Sequence, residues 1–312
     1  MSAAALVKEL RKLTGSPVIH CKTAIQETGG DIPKAIEWLR AKGISQAHKK
    51  LNKDVSAGLV GLMELKGRVV MLETLCETDF VAKTDQFQAF AMGTLRTLCG
   101  NSAWTAAGLM EEAKRIQMEK SLDVSIATQT IEEARLHTIS KTQENVAIRR
   151  ALSWSAGPTT IIGKYLHNTI SAHLGASGCV LKLVSPAPFP AQHIKAVQDL
   201  ADKLCMQVIA TKPVFLSREQ VTEKYLETER SAVLEKLDEK LKQKPQELVN
   251  KVVSERMNKS LEQAVLLDQT FVISEEPEER KVKDTLLLVS TQLQVPLVIE
   301  DFKVMFCGEA LD

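Results

Sequence analysis

The chain has 312 residues, 44% hydrophobic and 25% charged, the composition of a globular protein with a sizeable core and a length suited to two domains. Its 40 Lys and Arg against 39 Asp and Glu leave a net charge of +1, which excludes a polybasic nucleic-acid coat and an acidic solvating tail. Aromatic residues at 4% are poor material for stacking bases, and no apolar run approaches the roughly 20 residues that cross a bilayer. The opening MSAAALVKEL is neither a basic-then-apolar secretory signal nor an Arg-rich, acid-poor transit peptide.

The first 45 residues predict three short helices. Leu6, Leu10 and Leu13 share one face of the first, which ends at Thr14 and Gly15. Ser16 caps the second, and Pro17 suits its first position, where no amide donor is needed. Val18, Cys21, Ala24 and Ile25 form its face, and Gly29 and Gly30 stop it. Asp31 caps a third helix carrying Ala35, Ile36, Trp38 and Leu39, which Gly43 is expected to close. So small a module is marginal as a free domain and suits docking. Lys49, Lys50 and Lys53 then sit in a linker, residues 46–57, which a phosphate-binding reading fits less well.

From Gly58 the hydrophobic period changes. GLVGLMEL and RVVMLETL, joined by Lys66 and Gly67, read as a β-hairpin. A helix is expected over about Asp85 to Leu98, and a second, interrupted one from Leu109 to Ser140. The second half repeats the plan in pattern rather than in letters. TIIGKYLHN and GCVLKLVS are strand-like, and a turn with Pro186, Pro188 and Pro190 leads to a helix from about Ala191 to Val208. Two hairpin-plus-helix units predict duplicated α+β subdomains with antiparallel sheets, residues 58–156 for the first and 157–218 with 264–312 for the second. Between them in sequence, residues 219–263 alternate in charge and lack glycine. Their apolar stripe, Leu226, Val233, Leu237, Leu241, Leu248, Val252, Met257 and Leu261, predicts an antiparallel helical hairpin turning at Lys244 and Pro245. The last stretch, VPLVIEDFKVMFCGE, is a strand candidate.

Enzymatic signatures are scarce. GxSxG and HExxH do not occur, so no catalytic residue is assigned. Gly157 to Lys164 resembles a phosphate loop only loosely. One residue too many separates the glycines, and Tyr165 stands where a Ser or Thr would bind magnesium, so no nucleotide or other cofactor is expected. The six cysteines (Cys21, Cys76, Cys99, Cys179, Cys205, Cys307) form no CxxC pair and are expected to be small buried hydrophobes in a reducing compartment. His20, His48, His137, His167, His173 and His193 show no metal-ligand spacing, so no metal site is expected. His167 and His173 flank an expected hairpin turn.

The informative segment is ETLCETDFVAKTDQF, Glu73 to Phe87. Two readings compete at Phe80. In one, Asp79 caps the next helix and Phe80 enters the core. In the other, Phe80 projects from a tip and wedges into a partner, with Asp79 hydrogen-bonding beside it. A buried Phe is worth roughly 1.5–3 kcal/mol, enough for an interface hot spot.

With this segment the chain resembles the translation elongation factor Ts family, the guanine-nucleotide exchange factors of elongation factor Tu. LRKLTGSPVIHCKTAI at Leu10 to Ile25, continued by Gly29 to Asp31, and ETLCETDFVAK at Glu73 to Lys83 carry the resemblance. ENVAIRR from Glu144, KYLH from Lys164, TKPVF from Thr211, the Lys244–Pro245 turn and FKVMFCGE near the end follow in order. The resemblance implies a ubiquitin-associated-like three-helix module, a core of two related α+β subdomains and a helical arm. It implies a partner, elongation factor Tu in its GDP-bound and nucleotide-free states, with no covalent chemistry, no direct nucleic-acid binding and no membrane. In the family an Asp-Phe tip inserts between two helices of the GTPase and displaces elements that hold magnesium and the GDP phosphates. Asp79 and Phe80 match that tip, and Thr78 and Val81 on either side are expected to bind the partner with them; His167 matches a partner-facing histidine, and Arg11, Val18 and Ile19 match contact positions of the N-terminal module.

Departures from the family pattern are His20 before the cysteine, Thr142–Gln143 in place of an Ile-Gly, Gln207 where a His is frequent, and Leu166 and Asn168 around His167. The helical arm has a bacterial character. These departures, and the lack of a further module after Gly308, favour a mitochondrial-matrix member shown without its presequence over a bacterial-cytoplasmic or plastid one. The competing class is a non-catalytic adaptor that uses the three-helix module, for instance as a ubiquitin-like binder.

Overall fold

The computed structural model describes residues 2–14, 16, 18–48, 50–101, 104, 109, 115–117, 130–238, 241, 244–273 and 280–310; of residues 44–46 and 48 it describes the backbone. The fold is α+β, with three helices at the N-terminus and antiparallel strand pairing. Two compact units are present. The first comprises Met1–Trp154, Leu166–Gly178 and Met305–Asp312, and the second Ser155–Tyr165 and Cys179–Val304.

In the first unit, α1 (Ala3–Thr14), α2 (Val18–Glu27) and α3 (Ile32–His48) enclose a small core of Leu10, Cys21, Ala24, Ile25, Ala35 and Leu39. Leu13, Val18 and Ile36 do not join it, being exposed. Gly15 and Pro17 lie outside the described residues. Gly43 was expected to end α3, but the helix continues to His48. The reason is tertiary: a Cβ at Gly43 would overlap the Ser140 hydroxyl and sit 3.2 Å from Ser140 Cβ, so glycine lets α3 lie close against α6 (Ile131–Thr142). Arg40 and Glu133 pair across the same contact at 3.7 Å.

Strands β1 (Ala57–Leu65) and β2 (Arg68–Cys76) form the expected hairpin, in register from Ala57↔Cys76 to Leu65↔Arg68. Both turn residues are left-handed, Lys66 at φ 51° and Gly67 at φ 76°, as a two-residue turn between twisted strands requires. Every β2 residue after Arg68 is buried, Glu73 and Thr74 among them, which explains why apolar residues do not alternate with exposed polar ones along it. A single turn, α4 (Asp79–Ala82), follows, and then α5 (Asp85–Gly100), whose Thr84 hydroxyl caps Phe87 N–H. Phe87, Phe90, Ala91, Leu95 and Leu98 recur at helical spacing and pack with Leu59, Met63, Val70 and Leu72. The expected helix from Leu109 to Ser140 is partly outside the described residues; among those described, Leu109 is helical, Gln117 bridges Thr130 in extended form, and a helix runs from Ile131. A capping box at Thr130 and Glu133 sets that start.

Strand β3 (Val146–Ser155) was not anticipated; it pairs with β2. In this unit the strand order is β3-β2-β1, continued by the turn-proximal ends of β5 (Leu174–Val184) and β4 (Thr160–Ser171), with Val60 opposite Gly175. His173 at that turn accepts Leu62 N–H at 3.0 Å through its carbonyl.

In the second unit the remaining parts of β4 and β5 pair with each other, and β6 (Val298–Phe306) pairs with β5. Gly157 and Thr160 close a tight turn, so the residues that loosely resemble a phosphate loop lead into a strand and not into a helix. Helix α7 (Ala191–Thr211) buries Val197, Leu200, Leu204, Cys205 and Val208. Gly163 lets β4 approach it, since a Cβ there would lie 2.6 Å from the Ala201 carbonyl carbon. Helices α8 (Glu223–Glu235) and α9 (Gln246–Ala264) share a seam of Val233, Leu237, Val249 and Val253, with Leu241, Val252 and Met257 against it. Leu248, expected in that stripe, is 41% exposed, because the face of α9 is centred one residue later. Gln207 is fully buried; its amide donates to Gln269 and to the Thr270 carbonyl and accepts Val272 N–H. Helix α10 (Val282–Leu293) also went unanticipated. Cys21, Cys76, Cys99, Cys179 and Cys205 are buried thiols, and Cys307 is half-buried.

Candidate functional site

The site is built on the four-residue turn α4. At the end of β2 the chain leaves the sheet through Glu77 and Thr78. Thr78 is extended (φ −131°, ψ 154°) and caps the turn, its hydroxyl accepting Val81 N–H at 3.4 Å. So Thr78, not Asp79, is the cap. One turn of helix sorts the next residues by direction. Ala82 is buried, Val81 packs partly against the hydrophobic core, and Phe80 is 79% exposed. Phe80 is therefore not a core residue, although Phe87 and Phe90, seven and ten positions on, are wholly buried.

Asp79 lies beside the ring. Its carboxylate takes a hydrogen bond from Lys83 Nζ at 2.9 Å, one helical turn later. That hydrogen bond and the lysine charge hold the Asp79 carboxyl below the ordinary aspartate range, so it is ionised at neutral pH. Both side chains are solvent-exposed, and an exposed pair is easily exchanged for a partner's donors.

Beneath the turn is a polar clamp drawn from three parts of the sequence. The Glu144 carboxylate accepts Thr78 N–H at 3.0 Å and the Thr78 hydroxyl at 2.8 Å. The Glu77 carboxylate accepts Asn145 N–H at 2.7 Å and Lys53 Nζ at 2.9 Å. The Asn145 amide donates to the carbonyls of Leu51 and Lys53, and Lys50 Nζ donates to the Gln143 carbonyl. Lys50 and Lys53, read as linker residues, are thus occupied within the fold. The Cys76 thiol donates to the Thr78 carbonyl at 3.1 Å; burial, with the Glu144 charge nearby, pushes its pKa up to about 12, so it keeps its proton.

The other residues singled out from the sequence lie elsewhere in the first unit. Arg11 and Val18 line one groove of about 490 Å³ between α1 and α2, together with Val7, Lys22 and Ile25. Ile19, on α2, is 70% exposed. His167 is exposed on β4. The structure thus gathers Thr78, Asp79, Phe80 and Val81 into one turn and Arg11 with Val18 into one groove. Glu144 is the residue that sequence reasoning did not place in the site. Its signal was there, as the first residue of the ENVAIRR segment, but a spacing of 66 residues from Thr78 does not declare a contact.

Among the described residues no group of three or more His, Cys, Asp or Glu is arranged to hold a metal ion, and no helix is long and apolar enough to cross a membrane. What the turn offers chemically is an exposed aromatic ring and an ionised carboxylate on a fixed base.

Comparison with known proteins agrees in kind. The family model described as Elongation factor TS matches residues 77–306, beginning at the residue before the Thr78 cap. Elongation factor Ts of Paramagnetospirillum magneticum is 32% identical over 311 residues, covering 99% of this chain and 92% of the relative. That of Gluconobacter oxydans is 33% identical over 89% of the chain and 86% of the relative. That of Rhizobium leguminosarum bv. trifolii is 34% identical over 87% and 82%.

Proposed function

Because the chain belongs to the elongation factor Ts family, we propose that it binds elongation factor Tu and speeds the release of GDP from it, using the Asp79–Phe80 turn as the lever. The observation that carries this reading is the Phe80 ring, 79% exposed on a turn whose base is pinned. Water disfavours so large an apolar surface, and burying it in a partner's pocket returns roughly 1.5–3 kcal/mol. By the family resemblance, that pocket lies between two helices of the GTPase domain, where an inserted ring displaces the groups that hold magnesium and the GDP phosphates. Asp79, ionised and only loosely held by Lys83, would accept hydrogen bonds from the displaced segment.

The thermodynamics need no acid, base or nucleophile. A partner that prefers the GTPase with its nucleotide site distorted must weaken GDP binding by the same factor by which GDP weakens the partner. Thr78 and Val81 serve the tip by holding its start and its inner face. Arg11, Val18 and Ile19 form a second contact with the GTPase, and His167 a third. Elongation factor Tu is the partner in its GDP-bound and nucleotide-free states, with no direct nucleic-acid or membrane contact. On the departures at Thr142–Gln143 and Gln207 we propose the mitochondrial matrix as its compartment; the alternatives are the bacterial cytoplasm, which the bacterial origin of the matched relatives supports, and a plastid.

The test is the rate at which labelled GDP leaves elongation factor Tu, measured with the unmutated chain and with Phe80→Ala. Stimulated release should slow at least about tenfold in the variant, while its melting temperature stays within a degree or two. Equal rates from both proteins, or a variant that fails only because it unfolds, would remove Phe80 from the mechanism.

A further inference from the structure

We propose that Glu144 is a positioning residue for the Asp79–Phe80 turn: its carboxylate fixes Thr78 and thereby sets where the exposed ring points. This rests on the exchange reading above and adds to it a residue that touches neither the nucleotide nor the ring.

The geometry is specific. Thr78 is the last residue before the lever, and all its polar groups are engaged. Its N–H and hydroxyl both go to Glu144, at 3.0 and 2.8 Å. The same hydroxyl oxygen accepts Val81 N–H, and its carbonyl accepts the Cys76 thiol and Ala82 N–H. A turn of four residues is too short to hold its own direction by helical hydrogen bonding. Its orientation comes from its two ends and from Val81 and Ala82, which pack inward against the core. At the far end Lys83 and Thr84 lead into α5; at the near end the attachment is Thr78. A carboxylate that accepts two donors from one residue with two oxygens constrains that residue's rotation as well as its distance.

Glu144 reaches this position through its own backbone. Helix α6 stops at Thr142, and Gln143 adopts the left-handed conformation (φ 61°, ψ 17°), its N–H returning to the Ile139 carbonyl. That reversal sends Glu144 to Thr78 and Asn145 to the Leu51–Lys53 segment. Position matters here because a ring that must enter a preformed crevice loses rate steeply when displaced by an ångström or so.

The experiment measures release of a fluorescent GDP analogue from elongation factor Tu, with the 312-residue chain as catalyst and its melting temperature followed in parallel. Glu144→Ala should slow stimulated release about tenfold. Glu144→Gln should stay within about threefold of the unmutated chain, because its oxygen can accept Thr78 N–H and its amide can donate to the Thr78 hydroxyl. Combined with Phe80→Ala, Glu144→Ala should cost nothing further, since residues acting through one lever are not additive. Thr78→Val, at an exposed site, keeps the test open should Glu144→Ala fold poorly; it should lose about threefold, and again nothing on the Phe80→Ala background.

A Glu144→Ala or Thr78→Val chain as fast as the unmutated one, beside a slow Phe80→Ala, overturns the positioning role and leaves the exchange reading standing. So does a Glu144→Ala loss that multiplies in full with that of Phe80→Ala. An unmutated chain that leaves GDP release unchanged removes the exchange reading, and this proposal with it.

Discussion

At the scale of single residues, direction decides more than identity. Phe80, Phe87 and Phe90 are the same side chain within eleven positions, yet one is 79% exposed and two are sealed. The difference lies in where the first turn of helix begins, which Thr78 sets as its cap. Gln143 shows the same dependence on local backbone. It holds φ 61°, a conformation that costs a side-chain-bearing residue free energy and glycine little. Gln143→Gly should therefore raise stability by about 0.5 kcal/mol, the relief of strain being partly offset by the freer unfolded chain. Urea unfolding measures it, and a clear loss would show that the Gln143 side chain contributes more than its backbone costs.

At the scale of elements, close approach between neighbours overrides local signals. Gly43 reads as a helix stop, and the helix passes through it because α6 lies too near for a side chain. Gly43→Ala should cost about 1 kcal/mol despite alanine's better helix propensity. In a Ser140→Ala background, where the overlapping hydroxyl is gone, the same change should become neutral or favourable; thermal melts of the four proteins decide it. In the second unit, Asp268 ends a short 3₁₀ turn and accepts hydrogen bonds from Arg218 and from Lys283, the latter at 3.0 Å. Burial alone would raise its carboxyl, but the two cations outweigh burial and hold it below the ordinary value. A lowered folded-state pKa gives stability that is full above the unfolded carboxylate value, near pH ~4, and is lost as pH falls through the folded one. Asp268→Asn should accordingly lower stability at pH 7 and flatten its decline below about pH 4, measured by urea unfolding across that range.

Elements defined by near neighbours are legible in the sequence, and those defined by distant partners are not. The β1–β2 hairpin and α5 declare themselves, because a two-residue turn and an apolar run are local facts. Strand β3 does not, because Arg149 and Arg150 interrupt its alternation. Their reason for being there is Glu73, 76 and 77 positions earlier, whose carboxylate meets them at 3.4 and 2.6 Å. Helix α10 hides for a related reason. Its Leu-Leu-Leu-Val run fits a strand as readily as a helix, and Leu287 within it is exposed while Leu286 is buried.

At the scale of the whole molecule, residues distant in sequence converge on buried charge. Glu73 is fully buried in β2; it receives Arg149 and Arg150 from β3 and Gly308 N–H from near the C-terminus, while Arg150 also holds Glu309 at 2.6 Å. Removing one partner strands the rest, so Glu73→Ala should cost about 3 kcal/mol in urea unfolding, and Glu73→Gln less. A cost below about 1 kcal/mol would mean that water replaces the carboxylate freely.

The amino-acid string by itself determined the family, the α+β class, the paired hairpins and the helical pair of residues 219–263, because periodicity, turn residues and an uncommon Asp-Phe segment are properties of neighbours along the chain. Only the tertiary structure decided that Phe80 faces solvent, that Glu144 grips Thr78, and that Gly43 lies inside a helix. Each of these depends on groups dozens of positions apart meeting within a few ångströms, and spacing along a chain does not specify a distance in space.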